Sequence, residues 1–315
     1  MNKRIAILFS GQGAQTVGMG KDLAARYPAV AELFNKADTI LGRPLSQIAF
    51  EGPEDELTET KNCQPALFIH GLACLMALRQ EIGEFPIQAA AGLSLGEFTA
   101  HAAAGTFDFE TGLRLVAKRG IFMQEACEQT SGAMAAMIGA EENTVRSLAA
   151  ETDVDIANLN SPGQIVISGE SAKVILAVSM AKDHGIRIAK LLNVAGAYHS
   201  RLMNSAFLKL GDELQRTTFA VPQFPVICNT DATPVREPEE IRSSLQDQVT
   251  DTVHWTDTME HLLDQEKCEL FIELGPGSVL SGLLNRTRKG TPCVSISDCA
   301  SLDAAIAILR GLNSD

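Results

Sequence analysis

Short apolar runs alternate with longer amphipathic stretches along most of the chain. A short apolar run bounded by turn residues predicts a buried strand, and helical spacing of apolar residues predicts a helix. Strands are predicted at residues 4–10, 87–92, 225–229, 269–274 and 292–296. Helices are predicted at residues 22–41, 64–82, 97–104, 109–128, 200–216, 239–249, 257–264 and 302–312, and after the turn at 275–277. Strands that alternate with helices predict an α/β fold with a mostly parallel sheet covered on both faces.

The pattern of apolar and polar residues changes after Gly132, where it predicts short elements in the order β-α-β-β-α-β. This order is that of a ferredoxin-like unit. Its strands are predicted at residues 133–139, 154–160, 164–169 and 186–194, and its helices at residues 141–150 and 172–184. We therefore expect a large domain made of residues 1–128 and 199–315, with a small subdomain inserted at residues 129–198. The polar, acidic stretch at residues 51–61 predicts only a solvated loop.

Composition narrows the class of protein. The 315 residues include 39 acidic and 26 basic side chains, a net charge of −13. So acidic a chain is a poor general binder of nucleic acid or of anionic membranes. The seven cysteines form no Cys-x-x-Cys pair and the six histidines do not cluster, so we expect reduced thiols and neither a disulfide framework nor a metal site.

No segment predicts export or membrane insertion. The apolar run at residues 5–9 is too short for the core of a signal peptide. The most apolar long segment, residues 65–78, is interrupted by His70 and stops at Arg79, which excludes a membrane span there. We therefore expect a cytoplasmic protein.

The motif Gly92-Leu93-Ser94-Leu95-Gly96 lies between a predicted strand and a predicted helix. A nucleophile elbow needs this context, since the glycines tolerate a cramped turn and the helix N-terminus lies beside the hydroxyl. A serine in such a turn can equally be a helix cap, so the motif alone leaves both interpretations open. The loop Gly11-Gln12-Gly13 lacks the spacing of a phosphate-binding loop, but it follows a strand, where α/β sheets place ligands.

A serine nucleophile needs a base. Among the histidines, His199 is the best candidate, because it lies among small residues where the chain leaves the predicted subdomain, and domain junctions favour ligand sites. Its spacing fits a packing or capping role equally well. No acid between Ser94 and His199 stands out, which favours a Ser–His dyad. Arg119, on a predicted helix, has the geometry to hold a carboxylate, although most helical arginines are solvated or salt-bridged.

Several spaced motifs together indicate a family. They are Gly11-Gln12-Gly13-Ala14-Gln15, Gln64-Pro65-Ala66-Leu67, Gly92-Leu93-Ser94-Leu95-Gly96-Glu97, Arg119-Gly120, Asn160-Ser161-Pro162-Gly163-Gln164, Ala197-Tyr198-His199-Ser200, Val253-His254-Trp255 and Glu273-Leu274-Gly275-Pro276-Gly277. With them the sequence resembles, over essentially its whole length, the malonyl-coenzyme A:acyl carrier protein transacylases, a family that includes the acyltransferases of fatty acid and polyketide synthases. The resemblance implies a large α/β-hydrolase-like domain with an inserted ferredoxin-like subdomain.

The resemblance also implies roles for individual residues. Ser94 would be the acylated nucleophile, His199 the general base, and Arg119 the partner of the free malonyl carboxylate. The backbone amides of Gln12 and Leu95 would form the oxyanion hole. Three further roles are implied: the backbone carbonyl of His254 would orient the base, and Gln64 and Asn160 would line the cleft.

Two positions bear on substrate and pathway. Leu93 stands where the family usually has histidine, which affects the shape of the acyl pocket and is typical of stand-alone, trans-acting polyketide acyltransferases. Tyr198 resembles the malonyl-selective pattern, because a bulky aromatic crowds an α-methyl branch, with a discrimination of about 1–3 kcal/mol. The resemblance therefore implies malonyl transfer by a ping-pong Ser–His mechanism in polyketide synthesis. A housekeeping enzyme of fatty acid synthesis is the alternative.

The implied partners are malonyl-coenzyme A and the phosphopantetheine thiol of an acyl carrier protein, without a metal or redox cofactor. Two alternative functions are an acyl hydrolase with the same fold that acts on carrier proteins, and a catalytically silent docking module for carrier proteins. The intact Arg119 argues against the hydrolase, and the intact set of Ser94, His199 and Arg119 argues against the docking module. Because carrier proteins are usually acidic, we expect a local basic patch near the cleft, with candidates Lys182, Arg187, Lys190, Arg286, Arg288 and Lys289.

Overall fold

Two β-sheets organise the protein, and a computed structural model describes its residues 3–311. The strands are β1 (Ile5–Phe9), β2 (Ala89–Gly92), β3 (Gly132–Ile138), β4 (Asp155–Ser161), β5 (Gln164–Glu170), β6 (Ile188–Leu191), β7 (Val226–Ile227), β8 (Pro234–Val235), β9 (Leu270–Leu274) and β10 (Cys293–Ile296). The larger sheet has the order β10-β9-β1-β2-β7-β8, parallel except for β8. The smaller sheet is antiparallel, in the order β4-β5-β3-β6. The predicted α/β fold is confirmed.

Fourteen α-helices are found among the described residues. They are α1 (Lys21–Arg26), α2 (Pro28–Leu41), α3 (Leu45–Glu51), α4 (Glu54–Thr58), α5 (Thr60–Ile82), α6 (Leu95–Ala103), α7 (Phe109–Gln129), α8 (Glu142–Thr152), α9 (Ser171–Met180), α10 (Asn204–Gln215), α11 (Pro238–Asp247), α12 (Trp255–Asp264), α13 (Val279–Thr287) and α14 (Cys299–Gly311). A 3₁₀ turn, Arg201–Met203, precedes α10. The last residue of the helix predicted at 302–312 lies outside the described part of the chain.

The central strand β1 explains how the large sheet is covered. All five of its side chains are buried. Ile5, Ile7 and Phe9 belong to the core on one face, with much of α5, whereas Ala6 and Leu8 pack into the core that holds Trp255 of α12. Successive residues of a strand point to opposite faces, so a continuous apolar run is what a doubly covered strand requires.

The small sheet and its two helices form the ferredoxin-like unit. Its elements run from β3 to β6 in the predicted β-α-β-β-α-β order, and α8 and α9 pack on one face through Val145, Leu148, Val174 and Ala177. All of these elements fall within residues 129–198, although the exact domain limits stay a prediction. The edge strand β4 also touches the large domain, because Val253 donates to the carbonyl of Ala157 and accepts from Leu159, at 2.8 and 2.9 Å.

Two predictions about helices were wrong. The helix predicted at 22–41 is broken at Tyr27, which is extended because Pro28 follows it and disfavours helical backbone before a proline. The loop predicted at 51–61 contains α4, whose first turn is acidic and therefore favoured by the helix dipole, and whose Leu57 is buried. No helix within residues 3–311 is both long and apolar enough to cross a membrane, and the cytoplasmic location stays a prediction.

Candidate active site

Three parallel strands end side by side at the site. β2 pairs with β1 on one side and with β7 on the other. The residues that follow them are therefore neighbours: Gly11 and Gln12 after β1, Ser94 after β2, and Asn229 after β7. Ligands bind at this carboxyl edge in open α/β sheets.

Ser94 occupies a strained turn that only the flanking glycines permit. Its φ of 54° and ψ of −106° lie in a region that side chains rarely adopt. A Cβ atom on Gly92 would lie 1.9 Å from the carbonyl carbon of Gly96, and one on Gly96 would lie 2.2 Å from the carbonyl oxygen of Phe9. The Ser94 amide donates to Asn229 Oδ1 at 2.6 Å. The nucleophile-elbow interpretation of the motif therefore agrees with the backbone.

His199 faces the serine hydroxyl. Its Nε2 lies 2.8 Å from Ser94 Oγ, and its Nδ1 lies 2.6 Å from the backbone carbonyl of Gln248. A carbonyl only accepts hydrogen bonds, so Nδ1 carries the proton and Nε2 presents its lone pair to the hydroxyl. Burial, and then the charge of Arg119, lowers the pKa of His199 to about 4. The imidazole is therefore neutral at physiological pH, as a general base must be.

The prediction for His254 was wrong. Its carbonyl accepts from the amide and hydroxyl of Thr258, each at 2.9 Å, because it opens helix α12. Its Nδ1 lies 2.8 Å from Asp257. The carbonyl of Gln248, six positions earlier in the chain, occupies the place beside His199.

Arg119 is a buried cation whose guanidinium reaches the nucleophile. It is 1% exposed and lies over the ring of Phe98. Its Nη2 donates to Ser94 Oγ at 3.0 Å and to Gln248 Oε1 at 2.7 Å, and its Nη1 donates to Gln64 Oε1 at 2.7 Å. Burial lowers its pKa to about 10, so it keeps its charge at neutral pH. A charged group with spare donors beside the serine suits a substrate carboxylate.

A cleft of about 560 Å³ opens over these residues between the two sheets. Of the sequence-predicted residues, Gln12, Leu93, Asn160 and Tyr198 line it together with Ser94, Arg119 and His199. Gln64 does not line it. That side chain is fully buried behind the cleft and holds Arg119 from there. Asn160 Oδ1 is buried and has no hydrogen-bond partner among the described residues.

Tyr198 is tied to the loop after β1. Its hydroxyl lies 3.0 Å from Thr60 Oγ1, which donates to Gln12 Oε1 at 2.7 Å. Burial raises the pKa of Tyr198 to about 12, so the phenol stays neutral. Leu93 lies against this loop too, since its Cδ2 is 3.0 Å from where a Cβ on Gly11 would be. Both side chains thus shape the same wall of the cleft.

One of the candidate basic residues, Arg286, contacts the lining of the cleft. Its guanidinium donates to the side chain of Gln164, which lines the cleft. Lys190 belongs to the exposed edge strand β6, which leads into the lining residues 192–195. Arg288 is engaged with both carboxylate oxygens of Asp264, at 2.7 and 2.8 Å. Arg187 packs beside Gly139, and nothing places Lys182 or Lys289 at the described lining of the cleft.

Sequence reasoning missed three residues that hold the site together. Asn229, Ser244 and Gln248 are buried and bond to Ser94, Glu97 or Arg119. A sequence signal existed for Asn229, because it is the last residue of a predicted strand of the parallel sheet, at the edge where site residues collect. Ser244 and Gln248 lie in and just after α11, and no local pattern distinguishes them from other polar residues.

Fold and site together define an acyltransferase. The family described as "Acyl transferase domain" matches residues 7–305, and the chain belongs to it. Curated relatives include the malonyl CoA-acyl carrier protein transacylase of Bacillus subtilis (strain 168), 39% identical over 99% of both chains. The polyketide biosynthesis transacylase PksC of the same organism is 40% identical over 90% of this chain and 97% of its own length.

Solved structures similar to this chain belong to malonyl transacylases as well. A malonyl-transacylase, PlMCAT, in complex with the type II polyketide synthase acyl-carrier protein AntF, has a TM-score of 0.93 and 38% identity, covering 97% of this chain and 99% of the other. The acyl-carrier-protein S-malonyltransferase from Bartonella henselae has a TM-score of 0.92 and 37% identity, covering 98% and 99%.

Proposed function

We propose that the protein transfers a malonyl group from malonyl-coenzyme A to the phosphopantetheine thiol of an acyl carrier protein, through an ester on Ser94. The observation that carries the proposal is the position of Ser94 Oγ between two buried groups. His199 Nε2 accepts its proton at 2.8 Å, and Arg119 Nη2 donates to it at 3.0 Å. The first supplies a base for acyl transfer. The second supplies a charge for the malonyl carboxylate, whose burial would otherwise be costly.

The first half of the reaction acylates the serine. His199 takes the hydroxyl proton while Ser94 Oγ attacks the thioester carbonyl. The C–S bond then breaks, and the coenzyme A thiolate leaves with the proton from His199. The amides of Gln12 and Leu95 are proposed to hold the tetrahedral oxyanion. Neither amide has an acceptor within residues 3–311, and Leu95 is the first residue of α6, where the helix dipole adds a positive end.

The second half returns the acyl group to sulfur. The carrier thiol gives its proton to His199 and attacks the ester carbonyl, and the C–O bond breaks as Ser94 recovers a proton. Arg119 changes partner during the cycle, because the malonyl carboxylate replaces Ser94 Oγ as an acceptor. Ser94 and His199 supply the nucleophile and the proton carrier, so the proposed reaction uses no metal or redox cofactor.

The pathway is a finer proposal. We infer that the acceptor is a carrier protein of polyketide synthesis and that the enzyme acts in trans, because Leu93 replaces the usual histidine before the nucleophile. Identity does not separate the two pathways, at 39% to a Bacillus subtilis malonyl transacylase and 40% to its polyketide counterpart. Transfer onto one purified carrier of each pathway tests this. Faster transfer onto the fatty acid carrier would assign the housekeeping role.

Intact-protein mass spectrometry tests the reaction itself. After mixing with malonyl-coenzyme A, we expect one added malonyl mass that persists and disappears when holo carrier protein is added. Ser94→Ala is the control and should remain unmodified. Rapid loss of the adduct without carrier would identify a hydrolase. No adduct at all would identify a silent docking module and overturn the proposal.

A further inference from the structure

Glu97 is a buried carboxylate that takes no part in the steps above. It lies in α6, three residues after the nucleophile, and is fully buried. Its Oε1 accepts from Ser244 Oγ at 2.8 Å. Its Oε2 accepts from the backbone amide of Asn229 and from Gln248 Nε2, each at 3.0 Å. Burial raises its pKa to about 7. A buried carboxylate is costly unless its hydrogen bonds are satisfied, and here three donors converge on it.

The side chain of Gln248 joins this carboxylate to Arg119. Its Nε2 donates to Glu97, and its Oε1 accepts from Arg119 Nη2 at 2.7 Å. Glu97 Oε2 and the Ser94 carbonyl, which accepts from Nε2 at 3.1 Å, hold the nitrogen end of the amide, and the guanidinium, which only donates, holds its oxygen end. The same residue also holds the base through its backbone carbonyl.

Arg119 depends on amide oxygens for its direction. Its Nη atoms are held by Gln64, Gln248 and the serine hydroxyl, while its Nε has no partner among the described residues. The bond to Ser94 must be released when a carboxylate enters. During transfer, Gln64 and Gln248 are then the only side chains of this set that aim the guanidinium. Whatever fixes Gln248 therefore fixes Arg119.

We propose that Glu97 is a positioning residue that aims Arg119 at the carboxylate of the acyl group, acting through the side-chain amide of Gln248. The proposal rests on the proposed malonyl transfer, because it needs a carboxylate for Arg119 to hold. Glu97 also supplies an opposite charge inside the protein, which lowers the cost of burying the guanidinium. Its effect falls on acyl groups that carry a carboxylate and not on neutral ones.

The test measures kcat/KM for malonyl-coenzyme A and for acetyl-coenzyme A and compares their ratio. Glu97→Met removes the acceptors at similar length, and we expect the malonyl-to-acetyl ratio to fall at least tenfold. Glu97→Gln keeps an acceptor for the Asn229 amide and for Gln248 Nε2, while its own amide faces the Ser244 hydroxyl. We therefore expect it to keep the ratio within threefold. Ser244→Ala removes a bond to Glu97 outside the path to Arg119 and should also keep the ratio.

A second variant breaks the same path at its next link. Gln248→Met removes the side-chain amide but keeps the backbone carbonyl that holds His199. It should lower the ratio at least as much as Glu97→Met, because Gln248 contacts Arg119 directly. The double variant should lower the ratio no further than Gln248→Met, since Glu97 acts through Gln248. Equal losses for both substrates in Glu97→Met and Gln248→Met would overturn the proposal. If Glu97→Met does not fold, Glu97→Asp replaces it, since the shorter side chain withdraws the acceptors from Gln248 Nε2 and should also lower the malonyl-to-acetyl ratio. A wild-type enzyme without preference for malonyl would instead refute the proposed function.

Discussion

His199 takes its orientation from Gln248, whose backbone carbonyl lies 2.6 Å from the Nδ1 atom of the ring. The same residue holds Arg119 with its side-chain oxygen at 2.7 Å. One residue thus sets the tautomer of the base with a main-chain atom and the direction of the carboxylate-binding cation with a side-chain atom. Every residue has a backbone carbonyl, so a substitution at position 248 keeps the contact with His199 and removes only the side-chain contact with Arg119.

Arg119→Ala should abolish the preference for malonyl. Losing the charged partner of a buried carboxylate costs roughly 2–5 kcal/mol, so we expect malonyl transfer to fall about 30- to 5,000-fold. Transfer or hydrolysis of acetyl groups should hold steady or improve. Steady-state kinetics with both thioesters measures this. The malonyl transfer rate of Arg119→Lys, which keeps the charge but loses the paired donors of the guanidinium, should lie between those of the wild type and Arg119→Ala. Equal loss for both substrates contradicts the carboxylate role.

Tyr198→Ser should admit an α-methyl branch. The ring narrows the cleft wall beside His199, and a methyl-scale discrimination is worth about 1–3 kcal/mol, so methylmalonyl transfer should rise about 5- to 100-fold relative to malonyl. Tyr198→Phe keeps the ring and loses the hydroxyl with its contacts, including that with Thr60, so its selectivity should match the wild type. Competition between the two thioesters, read by mass spectrometry of acyl-Ser94, measures the ratio. A shift in the Phe variant would implicate the hydroxyl instead of the volume.

Gly92→Ala should prevent folding of the elbow. Its Cβ would overlap the Gly96 carbonyl carbon at 1.9 Å, a contact between backbone atoms that no rotamer relieves. We expect insoluble protein or a large fall in Tm. The control is Gly282→Ala in helix α13, where a Cβ meets nothing within 4 Å and helix propensity favours alanine by about 1 kcal/mol. Thermal unfolding of both variants checks the contrast, which an unaffected Gly92→Ala protein would contradict.

Reversing the charges at the cleft mouth should weaken carrier binding. The double variant Arg286→Glu and Lys190→Glu places two negative charges beside the cleft, so we expect the KM for an acidic carrier protein to rise about fivefold or more at low salt and less at high salt. The matched control is Lys36→Glu with Arg216→Glu, the same change in net charge at two residues that do not line the described cleft. A KM equal to the control's would locate docking elsewhere.

Acid should destabilise the protein through its buried histidines. Burial lowers the pKa of His101 to about 3, below the value of about 6.5 in an unfolded chain. As pH falls below about 6.5 the unfolded chain binds a proton that the folded protein does not, so the stability present above that pH is lost towards pH 3. The slope for one such group is about 1.4 kcal/mol per pH unit. Urea unfolding between pH 6 and 4 should show that the free energy of unfolding falls less steeply with pH in His101→Gln, by about this amount. Parallel slopes would refute the assignment.

The local sequence determined those features that depend only on neighbouring residues, such as a strand in which every side chain is buried. The run from Ile5 to Phe9 predicts a doubly covered strand because every one of its positions is buried. The glycines around Ser94 predict the elbow because the strain is confined to five residues. The order of elements between Gly132 and Leu191 predicts the small subdomain. Each of these features depends on residues that are near one another in the chain.

Only the tertiary structure decided which distant groups serve the site. Gln248 meets Glu97 across 151 positions, and Asn229 meets Ser94 across 135. His254 and Gln248 offer the same backbone carbonyl, so their sequences could not tell which one faces His199. Helix α12 made the choice, because its first turn occupies the His254 carbonyl, whereas the Gln248 carbonyl faces the ring. The sequence gives each residue its donors and acceptors, but packing selects the partner. A buried polar group must form a hydrogen bond with a group that the fold brings within reach.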